Sequence, residues 1–296
     1  MTTGAEVPDD QIAKPEQLAS PEPSPTGMVA TKDSLVLRCM SGAVLGGVTL
    51  AGVYFGGPIF AAVVAFMLVF MCFEWARMIE KRDVSALFYV LALGAAGAMV
   101  TAALRAYPLA YAICFLTSLA AIWASHFGAR KYSWAAFGPA YILAPCVALL
   151  WLRLDVENGR ALTFLLFAIV WSADSGAYFA GRFIGGPRLS PALSPAKTWA
   201  GAAAGILFGT IAGLVGARWA FGTGADYVFA LIGGSLGLVS ILGDMTESAF
   251  KRVFGIKDMS GVIPGHGGAL DRLDGMIFAT TAMTLVLYGL IAASKL

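Results

Sequence analysis

Long apolar runs separated by short polar connections fill almost the whole chain. About nine of them approach the roughly 20 residues that a transmembrane α-helix needs; they lie near 35–55, 57–77, 86–104, 108–127, 134–152, 162–181, 198–220, 227–247 and 275–294. Two connections, 182–197 and 248–274, are longer and polar. The pattern predicts an all-α polytopic membrane protein with about nine transmembrane helices and two polar loops.

Composition strengthens this prediction. Of 296 residues, 58% are hydrophobic and 13% charged, and the mean hydropathy is +0.77, which excludes an ordinary soluble domain. The cysteines lie in apolar runs without a C-x-x-C pair, so neither a disulfide framework nor a zinc site is predicted.

The polar and apolar segments divide the chain into three parts. Residues 1–33 contain prolines and acidic residues without apolar periodicity, which predicts a disordered polar tail. Residues 34–152 form a transmembrane scaffold of about five helices with short connections. Residues 153–296 contain about four helices and both polar loops, and are predicted to be the catalytic region.

Basic residues indicate how the chain is oriented. The loops between spans 2 and 3, 4 and 5, 6 and 7, and 8 and 9, together with the end of the chain, are predicted to lie on one side. This side is cytoplasmic by the positive-inside rule. We therefore expect an integral protein of a bacterial inner membrane with both polar loops facing the cytoplasm. The side contains thirteen of the twenty basic residues: Arg77, Lys81, Arg82, Arg130, Lys131, Arg182, Arg188, Lys197, Lys251, Arg252, Lys257, Arg272 and Lys295.

One carboxylate lies inside an apolar run. Asp174 belongs to the sixth run, where a charge costs about 2.5 to 3.5 kcal/mol on insertion scales. It must therefore face a polar group. We favour a ligand or ion site; the alternative is a structural partner for Arg182 or for a polar group on a neighbouring helix.

The end of the eighth run has a second polar pattern. Asp244, Glu247 and Ser248 follow the spacing i, i+3, i+4, and Lys251 lies one turn further, so on a continuing helix the four share a face. Charged residues and five glycines then follow closely. The charged residues and the histidine among them are Arg252, Lys257, Asp258, His266, Asp271, Arg272 and Asp274.

This combination predicts phosphate chemistry. Glycines let backbone N–H groups approach an anion closely, and basic side chains supply the opposite charge. Two separated aspartates suit Mg²⁺, which completes its shell with water and phosphate oxygens. The loop 182–197 contains Arg182, Arg188 and Lys197 and shows a weaker form of the same phosphate-binding pattern. The alternative interpretation is an ordinary solvated loop. Phosphoryl or nucleotidyl transfer is favoured over an ion-coupled transporter.

A different motif is misleading. Gly233 to Gly237 match the G-x-S-x-G pattern of a nucleophile elbow, which requires a strand, a turn and a helix. Here the pattern lies inside the eighth apolar run. We therefore interpret it as small residues that allow close helix packing.

Three segments resemble one enzyme family. Residues 248–274, SAFKRVFGIKDMSGVIPGHGGALDRLD, match every fixed polar position in the signature of the phosphatidate cytidylyltransferases. The segments WSADSGAYFAGRFIG and SPAKTWAG are similar to two further elements of that family. Ala269 replaces a larger aliphatic residue, and Ala200 stands where many members have glutamate.

The resemblance implies that CTP and phosphatidate are converted to CDP-diacylglycerol and pyrophosphate with Mg²⁺ in the cytoplasmic leaflet. It assigns metal binding and a catalytic role to Asp244 and Asp271. It implies phosphate contacts for Lys197, Ser248, Lys251 and Arg252, with Lys251 also counted as catalytic. A second, monovalent cation and a homodimer are compatible with it, and no nucleic-acid partner is expected.

The remaining candidates have less specific predictions. Residues expected to contact substrate, without individual roles, are Lys257, His266, Gly267, Gly268 and Arg272, and the additional candidates are Asp174, Asp258 and Asp274. Backbone amides around Gly267 and Gly268 are predicted to hold pyrophosphate oxygens. The acyl chains of phosphatidate are expected to enter through a lateral opening near the sixth to ninth spans.

Three other functions remain as alternatives. A CTP-dependent lipid kinase needs similar metals and bases but is attacked at the γ-phosphorus, so it releases CDP. An ion-coupled transporter would use Asp174 and Asp244 as ion sites and would show an inverted repeat, yet the glycine-rich loop has no second copy. A CDP-alcohol phosphotransferase is disfavoured because Asp274-Gly275 lacks the D-G-x2-A-R continuation.

Overall fold

The computed structural model describes residues 32–125, 131–222, 226–263 and 267–294. Within this part of the chain the structure is helical apart from one small hairpin. Most of the predicted polar tail and the candidate His266 lie outside the described residues.

Ten α-helices and one π-helical turn follow each other along these described residues. The helices are α1 (Lys32–Phe55), α2 (Gly57–Glu80), α3 (Ala86–Ala103), α4 (Tyr107–Ala124), α5 (Lys131–Gly138), α6 (Ala144–Leu154), α7 (Gly159–Phe183), α8 (Trp199–Phe221), α9 (Asp226–Val253) and α10 (Leu270–Ala293). The π-helical turn Pro139–Leu143 joins α5 to α6. The strands β1 (Arg188–Ser190) and β2 (Ser194–Thr198) pair antiparallel.

Eight helical segments in the described part of the chain are long and apolar enough to cross a membrane. One of them, Tyr132–Leu154, combines α5, the π-helical turn and α6. The first predicted span corresponds to α1, whose apolar stretch Met40–Phe55 is shorter. The prediction of an all-α polytopic membrane protein is confirmed.

Glycines allow α8 and α9 to pack closely. A Cβ atom built on Gly233 would lie 2.3 Å from the carbonyl oxygen of Gly209, and one on Gly213 would lie 2.3 Å from the carbonyl oxygen of Phe229. Larger residues cannot occupy these positions without moving the backbone. The interpretation of the G-x-S-x-G pattern as a packing motif is confirmed.

A second close approach joins α9 to α10. A Cβ atom on Gly243 would lie 2.6 Å from the carbonyl oxygen of Asp274, and one on Gly275 would lie 2.4 Å from Ser240 Oγ and 3.1 Å from Asp244 Oδ1. Both glycines are neighbours in sequence of a candidate aspartate. The helix packing therefore brings Asp244 and Asp274 together.

The described residues of both polar loops contain more regular secondary structure than the sequence predicts. α9 continues to Val253 and α10 begins at Leu270, so the loop predicted for 248–274 spans only 254–269. The boundary prediction was wrong because polar residues at a helix end interrupt the apolar pattern without ending the helix. The loop 182–197 contains the hairpin, which was not predicted, because strands of 3 and 5 residues show no clear alternation.

Candidate functional site

Two cavities meet beside α7 and α9. A cavity of about 620 Å³, named here the basic cavity, lies between α7, α8, α9 and the hairpin and is lined by Arg182, Arg188, Lys197 and Thr198. A cavity of about 540 Å³, named the apolar cavity after its many apolar lining residues on α1, α2 and α6, lies between α1, α2, α6, α7, α9 and α10 and also contains charged residues of the last three. Asp174 and Asp244 line both cavities, so these carboxylates mark where the two spaces meet.

The hairpin places a lysine at this junction. Lys197 Nζ lies 2.8 Å from Asp244 Oδ2, and both side chains are about one quarter exposed. Lys197 is held because the next residue, Thr198, caps α8 by accepting a hydrogen bond from the Gly201 N–H at 3.0 Å. The ion pair therefore links the hairpin to α9 at the edge of the basic cavity.

The predicted polar face of α9 forms as expected and meets the start of α10. Lys251 Nζ lies 2.8 Å from Asp271 Oδ1 and 3.4 Å from Glu247 Oε2, and the Glu247 side chain is only 2% exposed. Asp271 Oδ2 accepts hydrogen bonds from the backbone N–H groups of Met259 and Gly268, each at 3.0 Å. Lys251 is thus the shared counter-charge of two carboxylates.

Asp174 has a partner on the neighbouring helix α9, where Ser240 Oγ donates a hydrogen bond to Asp174 Oδ1 at 3.0 Å. It also faces both cavities. The sequence left open whether Asp174 serves a ligand or a polar group of a neighbouring helix. In the structure Asp174 both accepts a hydrogen bond from Ser240 and lines the two cavities. Asp274 lines the apolar cavity, and its Oδ1 accepts from the Gly275 N–H at 2.9 Å.

The remaining candidates lie at different distances from this centre. Ser248 is half-buried, one turn beyond Asp244 on α9. The exposed Arg252 donates from Nε to the Leu193 carbonyl in the hairpin at 3.3 Å. Arg272 is exposed at the edge of the apolar cavity. Lys257 and Asp258 are exposed in the segment 254–269, and neither residue lines either of the two cavities.

The paired glycines have a local structural role. Gly267 has a φ of +84°, which favours glycine, and its carbonyl accepts from the Ile263 N–H at 2.9 Å. A Cβ atom on Gly268 would lie 2.7 Å from Glu74 Oε1 and 3.0 Å from Asp271 Oδ2. Gly268 thus admits two carboxylates, and its N–H is bonded to Asp271. Phosphate contact by these amides stays a prediction.

Sequence reasoning missed Glu74. This residue lies in α2, within the part interpreted as scaffold, yet its carboxylate accepts hydrogen bonds from Ser260, Ala269 and Leu270. The signal was available, because Glu74 is a carboxylate inside the second apolar run, and such residues are costly in a membrane. The same argument identified Asp174.

The carboxylates fit the expected Mg²⁺ chemistry. Asp174, Asp244, Asp271 and Asp274 all line the apolar cavity, and carboxylate oxygens are the ligands that Mg²⁺ prefers. The described part of the chain has no group of three or more Asp, Glu, His or Cys side chains arranged to hold a metal ion. Mg²⁺ usually takes one or two carboxylates and completes its shell with water and substrate phosphate.

Comparison with known proteins gives consistent matches over most of the chain. The model of the cytidylyltransferase family matches residues 36–290. A phosphatidate cytidylyltransferase of Brucella melitensis is 36% identical over 276 residues, covering 88% of this chain and 95% of that protein. The phosphatidate cytidylyltransferase of Pseudomonas aeruginosa is 33% identical over 263 residues, covering 85% of this chain and 96% of that protein.

A more similar but shorter match comes from Synechocystis. Its phosphatidate cytidylyltransferase is 44% identical over 128 residues, which cover 42% of each chain. The matches to the Brucella and Pseudomonas proteins include much of the N-terminal half, whereas from sequence only the C-terminal motifs carried the resemblance.

Proposed function

Because the chain belongs to the cytidylyltransferase family, we propose that CTP and phosphatidate meet where the two cavities join, at Asp174 and Asp244. The chain is a phosphatidate cytidylyltransferase, which forms CDP-diacylglycerol and pyrophosphate. The observation that carries the site assignment is that two cavities share these two carboxylates: one contains three basic side chains, and the other combines further charged side chains with the apolar side chains of α1, α2 and α6. A charged nucleotide and a lipid require opposite surroundings within reach of one another.

The basic cavity suits the triphosphate of CTP. Arg182, Arg188 and Lys197 line it, and Thr198 contributes to its wall. Arginine presents its donors in a planar fork that matches phosphate oxygens, and lysine adds a compact positive charge. The triphosphate would therefore lie between the hairpin and α9, with its α-phosphorus directed toward Asp244.

The apolar cavity suits the lipid. Side chains and glycines of α1, α2, α6, α7 and α10 line it, including Gly46, Met71, Leu149, Phe167, Trp171 and Ile277. The acyl chains would stay in apolar surroundings, because exposing them to water costs about 0.8 kcal/mol per CH₂. The lateral opening was predicted near the sixth to ninth spans; of the helices whose residues line the cavity, α7, α9 and α10 belong to that set, whereas α1, α2 and α6 do not.

The reaction needs positioning more than a strong base. The phosphate of phosphatidate carries a charge of about −1.5 to −2 near neutral pH and is already nucleophilic. One of its oxygens attacks the α-phosphorus of CTP, a new P–O bond forms, and the bond to the departing pyrophosphate breaks. Lys197, Lys251 and the arginines of the basic cavity offset the negative charge that accumulates when the anions meet.

Asp244 and Asp271 are the residues that would hold Mg²⁺. When bound, the ion neutralises phosphate charge and orients the triphosphate. Lys197 and Lys251 already place positive charge at 2.8 Å from these two carboxylates. Each carboxylate is therefore held in place by a neighbouring lysine.

Contacts among three connections support a site on a single side of the membrane. Lys81 Nζ donates to the Phe254 carbonyl at 2.7 Å, and Arg252 Nε donates to the Leu193 carbonyl at 3.3 Å. These contacts join the residue after α2 to the segment after α9, and the last turn of α9 to the turn of the hairpin. The basic residues of these connections make this side cytoplasmic by the positive-inside rule, in an integral protein of a bacterial membrane.

Product analysis tests the proposed function. Purified protein in detergent, incubated with phosphatidate, Mg²⁺ and CTP labelled at the α-phosphorus, should transfer the label to lipid and release unlabelled pyrophosphate. Label in soluble CDP would identify a lipid kinase instead. Absence of any turnover under these conditions would contradict the transferase.

Filling the apolar cavity should weaken lipid use selectively. Gly46 lines that cavity, and a Cβ atom at this position would have no atom within 4 Å. We expect Gly46→Trp to raise the KM for phosphatidate by about 10-fold, as lost apolar burial of a few CH₂ groups would give, while the KM for CTP changes little. Steady-state kinetics in mixed micelles measure both constants.

The neighbouring glycine provides a matched control. Gly47 also has no atom within 4 Å of a built Cβ, but it is exposed and does not line the cavity. Gly47→Trp should leave both KM values near those of the wild type. Equal effects of the two substitutions, or a larger effect of Gly46→Trp on CTP, would show that the cavity does not hold the acyl chains.

A further inference from the structure

Glu74 is a fully buried carboxylate that holds a distant part of the chain. Its side chain is 0% exposed. Oε1 accepts hydrogen bonds from Ser260 Oγ and from the Ala269 N–H at 2.8 Å, and Oε2 accepts from the Leu270 N–H at 2.8 Å. Both oxygens are thus engaged with the segment before α10 and with its first residues.

These bonds supply a cap that α10 lacks in its own sequence. Ala269 occupies the N-cap position and makes no side-chain capping bond. The first N–H groups of a helix have no partners within it, and they carry partial positive charge that favours a carboxylate. Glu74, from a helix almost 200 positions earlier, satisfies two of these N–H groups.

The cap lies directly beside a candidate metal ligand. Asp271 follows Leu270, and its Oδ2 accepts from the Gly268 N–H, which precedes the two N–H groups bound by Glu74. Three consecutive N–H groups are therefore divided between Glu74 and Asp271. Any shift of the Glu74 carboxylate would move the backbone from which the Asp271 side chain projects.

The C-terminal end of α2 also contacts the beginning of the segment 254–269. Lys81 Nζ donates to the Phe254 carbonyl at 2.7 Å, and its ammonium lies 5.9 Å from the centre of the Phe254 ring. Trp75, next to Glu74, packs edge-to-face on Phe250 with ring centres 5.7 Å apart. One helix of the N-terminal half thus contacts both ends of the segment 254–269.

We propose that Glu74 is a positioning residue for cytidylyl transfer, fixing the start of α10 so that Asp271 points into the site. The proposal rests on the proposed function, because it concerns the geometry of that site. It also gives the N-terminal half a defined task in the reaction beyond forming a scaffold.

Replacing Glu74 by Gln tests this role. The amide has nearly the same shape, but its NH₂ group would face a backbone N–H and one hydrogen bond would be lost. We expect kcat to fall by about 10- to 100-fold, the range seen when groups that orient metal ligands are removed. The Mg²⁺ concentration for half-maximal rate should rise at least about 3-fold on the same grounds, with both KM values within about 2-fold of the wild type.

A second variant, Ser260→Ala, tests the same role if Glu74→Gln does not fold. Ser260→Ala removes one hydrogen bond to Oε1 and leaves both backbone bonds, so it should show the same pattern with a smaller fall in kcat. Glu80→Gln, six residues further along α2, is the matched control and should behave as the wild type. Hydrogen–deuterium exchange provides a readout independent of activity, and residues 259–271 should exchange faster in both test variants.

The results separate positioning from simple stabilisation. A purely structural cap would lower the thermal midpoint, while kcat per folded molecule and the Mg²⁺ requirement would stay unchanged; that result would overturn the proposal. Unchanged exchange across 259–271 in Glu74→Gln would also overturn it. Failure of the proposed function is distinguishable, because then the wild type itself would form no CDP-diacylglycerol.

Discussion

Asp244→Asn is expected to reduce cytidylyl transfer by about 10²- to 10³-fold, comparable with the loss of one preorganised charge-stabilising group. Asp244 lines both cavities and pairs with Lys197 at 2.8 Å. Asparagine keeps the shape but removes the negative charge, so it loses both affinity for a cation and the partner of Lys197. Asp271→Asn should have an effect of similar size, because its carboxylate is bound by Lys251 and two N–H groups.

Asp244→Asn should remain folded because the Asp244 side chain is about one quarter exposed, and Asp271→Asn should remain folded with a lower thermal midpoint because Lys251 keeps Glu247 as a counter-charge. Monodisperse elution in detergent would establish this, and the rate of label transfer from CTP to lipid across a series of Mg²⁺ concentrations measures the effect. Asp83→Asn is the control, because that carboxylate is 80% exposed and pairs only with Arg77 among the described contacts. Near wild-type rates in both test variants would remove Asp244 and Asp271 from the metal site.

The α9 part of this site could be predicted because its information is local. Asp244, Glu247 and Lys251 have helical spacing, and α9 continues through all of them. The ion pair between Lys251 and Glu247 joins residues i and i+4, so it follows from the same spacing. Residues within two turns of one helix need no knowledge of the tertiary fold.

Contacts between distant segments could not be predicted in this way. Nothing in the apolar pattern connects Glu74 to Leu270, because the pairing depends on how α2 packs beside the segment before α10. The start of α10 was predicted too late for the same reason. Its first turn is polar in sequence and is stabilised by Glu74 and Asp271, which the sequence gives no way to place.

The hairpin shows a further limit. The basic residues of 182–197 were predicted by type to bind phosphate, which stays a prediction, and the structure shows that Arg182, Arg188 and Lys197 line one cavity. Which carboxylate Lys197 would meet was not predictable, because it depends on the pairing of two short strands and on the capping of α8. Residue chemistry was therefore easier to predict than residue partners.

Lys251→Met should impair both stability and activity. Lys251 is the counter-charge of Glu247 and Asp271, which are 2% and 9% exposed, and Glu247 Oε1 has no hydrogen-bond partner among the described residues. Removing one partner of a buried ion pair costs about 3 to 5 kcal/mol, because the other charge is left uncompensated. A lower thermal midpoint in detergent would report this destabilisation, and the rate of lipid labelling at low temperature would report the loss of activity.

Lys251→Met should change the thermal midpoint and the rate, whereas removing an exposed surface charge should not. Arg82→Met removes a basic residue that is exposed on the same side of the membrane, so its thermal midpoint and rate should stay near those of the wild type. Combining Lys251→Met with Glu247→Gln should recover part of the lost stability, since the second substitution removes a buried charge that the first left unpaired. Additive losses in the double variant would mean that Lys251 does not neutralise Glu247, and its role would then reduce to its bond with Asp271.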